Sequence, residues 1–225
     1  MNKLLTALPL LLAVATGCGK DEPAPRPDLG YAYFPTDSGR WVHYTVDTLW
    51  RSDRTGVTGS ARYALREQIT NSFTDPEGRN AQRLLRSTLD SASGEWVPKD
   101  VWWQVRTALN AERAEENQRR IKLVFPPRTG QYWNTNALNT GRPYELTYAE
   151  VDVPWSVNGM NFDSTILVKT TYFNNAVVTN TYWERYAKHV GLVYRQVDST
   201  NTQYVNGVQK VDGTWYKQVA TGYGH

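Results

Sequence analysis

The sequence predicts a mostly β protein: a single antiparallel domain of about ten strands, as a strongly curved sheet or partly closed barrel, with at most one short helix. Three observations carry that expectation. Nine Trp, 14 Tyr and 5 Phe stand against only 2 Met, and aromatic residues with β-branched ones suit half-buried pleated surfaces. Apolar residues recur with a period of two, and Asn-Gly, Ser-Gly and Pro-containing turn signals separate the runs.

The first stretch is different in kind. Lys3 precedes an apolar run, Leu4 to Val14, interrupted by Thr6 and Pro9, and small Ala15, Thr16 and Gly17 lead into Cys18. Such a run is shorter than the roughly 20 apolar residues a membrane-spanning helix needs, so residues 1–17 read as a secretory signal. Cys18 is the only cysteine, so it has no internal disulfide partner. Ala-Thr-Gly-Cys resembles the lipobox of bacterial lipoproteins, with Ala15 where leucine is commonest. The resemblance implies cleavage before Cys18, acylation of its thiol and a membrane anchor that multiple acyl chains make stable. Lys20, Asp21 and Glu22 follow, similar to the acidic surface-export signal of Bacteroidota lipoproteins. Pro23, Pro25 and Pro27 then favour extended chain at about 3.1 Å per residue, making residues 18–30 a tether able to hold a domain a few tens of Å off a membrane.

Removing 17 signal residues from 225 leaves 208, and removing the tether leaves 195, the size of one domain, residues 31–225, able to bury a core without disulfides. The net charge is +3 with both signs intermixed. That pattern argues against a nucleic-acid partner, which would need a concentrated basic face.

In chain order, Val42, Tyr44, Val46 and Trp50 fall on one face of a first strand and His43, Thr45 and Asp47 on the other. Arg51 to Ser60 reads as a polar loop, Tyr63, Leu65 and Ile69 resume the alternation, and Asp75-Pro76-Glu77-Gly78 is a turn. Strands follow near 82–89, 101–106 and 121–125, with a turn at Ser93-Gly94. Ala108 to Arg120 has helix formers but no apolar stripe, and is expected to be a solvated strand or long turn. Tyr144 to Val153 alternates, Asn158-Gly159 is a strong hairpin signal, and Asn174-Asn175 reads as a second hairpin. Val190 to Asp198 is a further strand. Asn206-Gly207 and Asp212-Gly213 are expected to separate the last short strands.

Several landmarks recur together: Glu116-Asn117, then Phe125-Pro126 with Gly130, Trp133 and Asn136, and Glu184 to Lys188 running into Val190 to Tyr194. They resemble the landmarks of an uncharacterised family of Bacteroidota outer-membrane lipoproteins, across most of the mature chain. His189 stands where glycine would be more usual. No chemistry is assigned to that family, so the resemblance implies a compartment and no catalytic residue.

The residues argue against an enzyme and imply no cofactor and no metal. Only His43, His189 and His225 are present, without the paired spacing a metal site wants. His43 and Asp47 would lie ~13 Å apart along a strand, and no nucleophile elbow, phosphate loop or dinucleotide fingerprint occurs. Glu112, Glu115, Glu116, Glu145, Glu150 and Asp152 read mostly as a solvated face. Binding has more support. Trp102 and Trp103 must face opposite ways, and Trp155 and Trp183, with Trp50, could extend an aromatic surface suited to a sugar ring or an apolar side chain.

Three functions from different classes follow. The first is a non-catalytic structural or accessory envelope protein that engages another protein. The second is a half-barrel carrier of an acyl chain, which would need an apolar concavity free of Lys122, Lys169 and Arg66. The third is a surface glycan-binding module. All three place the membrane, through acylated Cys18, among its partners, at the outer membrane and on the cell surface, with the periplasmic face as the alternative.

Overall fold

The computed structural model describes residues 27–172 and 174–225. Signal residues 1–17, Cys18 and the triplet Lys20, Asp21 and Glu22 lie outside them. Twelve strands make one antiparallel sheet: β1 Trp41–Ser52, β2 Val57–Thr74, β3 Asn80–Leu89, β4 Trp96–Arg106, β5 Asn110–Glu115, β6 Gln118–Val124, β7 Tyr132–Asn134, β8 Glu145–Val157, β9 Met160–Thr170, β10 Val178–Ala187, β11 Gly191–Val205 and β12 Val208–Gly224. Among the described residues the only helical element is a 3-10 turn, Tyr31–Tyr33.

The strand order is β6-β5-β4-β3-β2-β1-β12-β11-β10-β9-β8-β7, so sequence neighbours pair throughout and β12 returns to β1. The outermost strands then nearly meet. Ile121 N donates to Thr135 O at 3.0 Å, and Ile121 O accepts from Thr135 Oγ1 at 2.8 Å and from Trp133 Nε1 at 2.9 Å. The Tyr148 hydroxyl donates to Val124 O at 2.7 Å and accepts from Val124 N at 2.8 Å. Open sheet edges are thereby largely removed, and the expected curved sheet is a nearly closed barrel.

The twelve strands exceed the expected ten because Asn110–Glu115 forms a strand of its own and Tyr132–Asn134 adds a short one, and two further turn expectations also give way to strand. Residues 108–120 are mostly strand, as expected, but are exposed only at 108–109 and 116–118 rather than solvated throughout. They form β5, the start of β6 and a two-residue turn at Glu116-Asn117, both with positive φ (48° and 62°), and every residue from Ala111 to Glu115 is buried. Arg51 to Ser60 is mostly strand around a tight turn, with Ser52 opposite Val57. Asp212-Gly213 lies inside β12, not between strands. A Cβ on Gly213 would come within 2.8 Å of Thr200 Cγ2 and 3.0 Å of Ser199 O, so this glycine serves close strand approach. Asn174-Asn175 joins β9 to β10 through a wide connection, because their pairing begins only at Trp183 opposite Lys169.

Antiparallel order sorts the turns into two ends. The near end carries the chain entering from residue 27, the turns at 75–79, 158–159 and 188–190, and the C-terminus. The far end carries the turns at 53–56, 90–95, 116–117 and 206–207 and the β9–β10 connection. Residues 57–64 of β2 pair only with β1, since β3 joins β2 at Leu65, and residues 178–182 of β10 pair only with β11. A wall built from β2, β1, β12, β11 and β10 therefore rises past the rest of the barrel at the far end.

Candidate functional site

Inside the barrel the side chains form three layers. At the near end the 3-10 turn and Phe34 act as a plug. The Tyr33 hydroxyl donates to Asp152 Oδ1 at 2.6 Å and lies 2.7 Å from Ser164 Oγ. Lys188 pairs with Asp152 at 2.8 Å and Asp28 at 2.9 Å. Arg106 donates to the carbonyls of Tyr31 and Phe34 at 2.9 and 2.8 Å, and Gln104 donates to that of Pro35 at 2.9 Å. His189 takes φ +64° in the turn after β10. Its N–H donates to Ala32 O at 2.7 Å, and its carbonyl accepts from Arg40 at 2.6 Å. Hydrogen bonds from Lys188, Tyr33 and Ser164 hold the Asp152 carboxyl down at about 2. Burial, then the Asp152 contact, pushes Tyr33 up to about 12.

The middle layer is charged. Glu67 accepts from Arg86 at 3.1 Å and Arg113 at 3.2 Å, Arg86 also reaches Asp100 at 2.7 Å, and its guanidinium lies 3.7 Å over the Trp102 ring. Beside it, Lys122 Nζ donates to Glu184 at 2.7 Å, to the Tyr182 hydroxyl at 2.7 Å and to Glu115 at 3.2 Å. Arg195 bonds Glu115 at 3.1 Å, and the Tyr186 hydroxyl donates to Glu184 at 2.5 Å. Lys122 and Glu184 are both 0% exposed. Burial alone would raise both glutamates, but Lys122 and Arg195 overcome it and hold Glu115 and Glu184 below the ordinary carboxylate range. Such a layer suits a buried position only because each charge is paired and hydrogen-bonded.

The inner face opens at the far end. One cleft of about 300 Å³ is lined by Arg120, Tyr144, Asn180, Tyr182, Val197 and Ser199 among others. A second, of about 620 Å³, is lined by Trp50, Asn180, Ser199, Asn201, Asp212 and Thr214 among others. They share Asn180 and Ser199, so they form one continuous mouth.

Of the five tryptophans singled out in the sequence, Trp50 lines the mouth and the other four are not brought together. Trp102 points inward, is 8% exposed, and donates from Nε1 to Glu116 at 3.2 Å. Trp103 points outward, edge-on to Phe73 at 6.5 Å. Trp155 stacks on Phe162 at 6.3 Å where the β8–β9 hairpin folds against β12. Trp183 is exposed on the outer face, in register with Lys169 and Gln196. The sequence singles out Lys122 as a residue that could point into the concavity, but its partner Glu115 is placed there only once strand β5 is known. Of the six carboxylates expected mainly at a solvated face, Glu112 and Glu115 are buried and ion-paired. His43 lies between the rings of Trp41 at 4.2 Å and Trp96 at 4.7 Å, where burial and Arg66 lower its pKa.

The described residues thus form a twelve-stranded, nearly closed antiparallel barrel with a plugged near end, an ion-paired interior and an open far mouth. No family model and no curated protein matches the chain. Among solved structures, a crystal structure described, provisionally, as a lipoprotein from Parabacteroides distasonis is 12% identical to it, with a TM-score of 0.40, and the match covers 85% of this chain and 98% of that one. A likeness of that degree carries no argument about the site.

Proposed function

We propose that the protein is a non-catalytic, lipid-anchored envelope module that is held to the outer membrane through Cys18 and binds at its far mouth. The observation that carries this reading is the plug. Tyr33, Asp152, Ser164, Lys188 and Arg106 fasten the incoming chain at the near end. An anchor at Cys18 would therefore hold the near end toward the membrane and turn the far mouth away from it, with the proline-rich tether as spacer. The export-like Lys20, Asp21 and Glu22 favour display at the cell surface.

The ion-paired interior argues against the acyl-chain carrier. Lys122 stands in the middle of the concavity, while Lys169 and Arg66 lie on the outer face, Arg66 over Trp96 at 5.1 Å. The void beneath the charged layer, against Phe34, Glu67 and Arg113, is about 40 Å³, room for a few waters rather than an acyl chain. The non-catalytic reading is supported by where the titratable groups sit. His43 is wedged between indoles, and the buried glutamates are each committed to a cation.

Radiolabelled palmitate fed to cells tests the anchor. Incorporation into the wild-type chain and its loss in Cys18→Ser is the expected result, and an unlabelled wild-type protein overturns the proposal.

A further inference from the structure

Trp50 lies on the inner face of the far wall, in register with Gly59 of β2 and Thr214 of β12. A Cβ on Gly59 would come 2.3 Å from Trp50 Cζ2 and 2.5 Å from Cε2. The missing side chain therefore lets the indole press one face flat against the backbone of β2. The residue as a whole remains 40% exposed. A flat aromatic platform has thus been fixed on a concave wall, where an indole in solution would otherwise sample several rotamers.

What surrounds it is polar and close to neutral. Asp212 is held by the Ser52 hydroxyl at 2.6 Å and paired with Arg54, so its charge is compensated. Asn180 accepts from Ser199 at 3.3 Å, and its NH2 group donates to nothing among the described residues. The side chains of Asn201 and Thr214 hydrogen-bond to nothing among the described residues, and both are exposed. At the other end of the mouth Tyr144 packs 5.0 Å from Tyr172 and 6.0 Å from Tyr182, giving a second aromatic wall beyond the shared Asn180 and Ser199.

We propose that the far mouth is a carbohydrate-binding cleft in which Trp50 stacks under a pyranose ring and Asn180, Asn201, Ser199 and Thr214 hydrogen-bond its hydroxyls. This deepens the proposed function and rests on it only in taking the far mouth as the working face. A pyranose presents an apolar face of C–H groups and a rim of hydroxyls. A flat indole beside uncommitted amides and hydroxyls matches both features. An apolar peptide side chain would instead need a dry pocket, and an anionic ligand an uncompensated cation, which the Asp212–Arg54 pair does not supply at the Trp50 end. The continuity of the two clefts fits a chain of several sugars, not one.

The test uses the full-length protein, extracted in a detergent without a sugar headgroup, and a panel of neutral oligosaccharides: malto-, cello-, manno-, xylo- and chito-hexamers. Binding is followed by calorimetry. The proposal expects at least one series to bind, Trp50→Ala to weaken it about tenfold or more, and Trp183→Ala, on the outer face, to leave it unchanged. Asn201→Ala with Thr214→Ala, two exposed positions, should weaken it while leaving the melting curve intact, which keeps the test decisive if Trp50→Ala unfolds the wall. Binding to no series, binding insensitive to both mouth variants, or loss of binding in Trp183→Ala overturns it. None of these outcomes touches lipidation, which the palmitate label reads separately.

Discussion

Replacing Lys122 with methionine removes one charge from the centre of the barrel while nearly keeping its volume. Lys122 Nζ holds Glu184 at 2.7 Å and Glu115 at 3.2 Å, and all three are buried. In the variant both glutamates are left to Arg195, which already reaches Glu115 at 3.1 Å and Glu184 at 3.4 Å. Breaking a buried pair by removing one partner costs about 3–5 kcal/mol, and for a chain of this size each kcal/mol moves the midpoint by about 2–4 °C. Thermal unfolding followed by near-UV circular dichroism should therefore fall by roughly 6–20 °C at pH 7. The loss should shrink as pH falls. Wild-type Glu115 and Glu184 are held below their ordinary value of 4.5, so their contribution is fully present above 4.5 and fades as pH drops through the lower folded values. Without Lys122 burial raises those carboxyls, so the variant sheds an unpaired charge, and gains relative stability, between pH 7 and about 4.5. Adding Glu184→Leu should restore part of the midpoint, because apolar replacement of a pair is far cheaper than leaving half of it. A change below about 1 kcal/mol in Lys122→Met, the size seen for solvent-screened pairs, would refute the reasoning that the interior is a dry, interdependent charge layer.

Three further outcomes follow from the geometry. Gly213→Ala places a methyl against Thr200 and Ser199 and should destabilise the protein by about 1–3 kcal/mol, with faster amide exchange in β11 and β12 than in β3 and β4. Tyr33→Phe loses its hydroxyl contacts to Asp152 and Ser164 and should cost about 0.5–1.5 kcal/mol by urea unfolding at pH 7. That gap should narrow in acid, because the Asp152 contribution is complete above the ordinary 3.8 and is lost as pH falls through about 2. The exposed His189 holds a positive φ of 64°, a region costly to non-glycine residues, so His189→Gly should raise the unfolding free energy by about 1 kcal/mol, read as a higher urea midpoint. A lowered midpoint would assign the imidazole a packing role that its exposure denies.

The fold was legible where side chains alternate and turns carry glycine or asparagine. Val42, Tyr44 and Val46 are buried as their spacing requires, and Asn158-Gly159 turns with positive φ at both residues. It was illegible where the barrel buries charge. Arg113 and Glu115 lie on the inner face of β5 and Glu112 on its covered outer face, so a strand buried on both sides reads as polar all round, and periodicity has nothing to detect. Asp212-Gly213 misled for a related reason, since a glycine chosen for close strand contact has the same letter as a glycine chosen for a turn. Among the candidate contacts, the opposed faces of Trp102 and Trp103 followed from strand geometry alone. That Trp50 would be the tryptophan laid open on the inner wall depends on Gly59 opposite, a cross-strand partner that only the register of β1 on β2 reveals.

The proposed function has the barrel standing outside the cell on its tether with the far mouth outward. Proteinase K applied to intact cells expressing the full-length protein, beside a Lys20, Asp21 and Glu22 triple-alanine variant, tests it most directly. Rapid loss of the wild-type protein with the variant protected is the expected result. Protection of both proteins would contradict surface display and put the barrel on the periplasmic face.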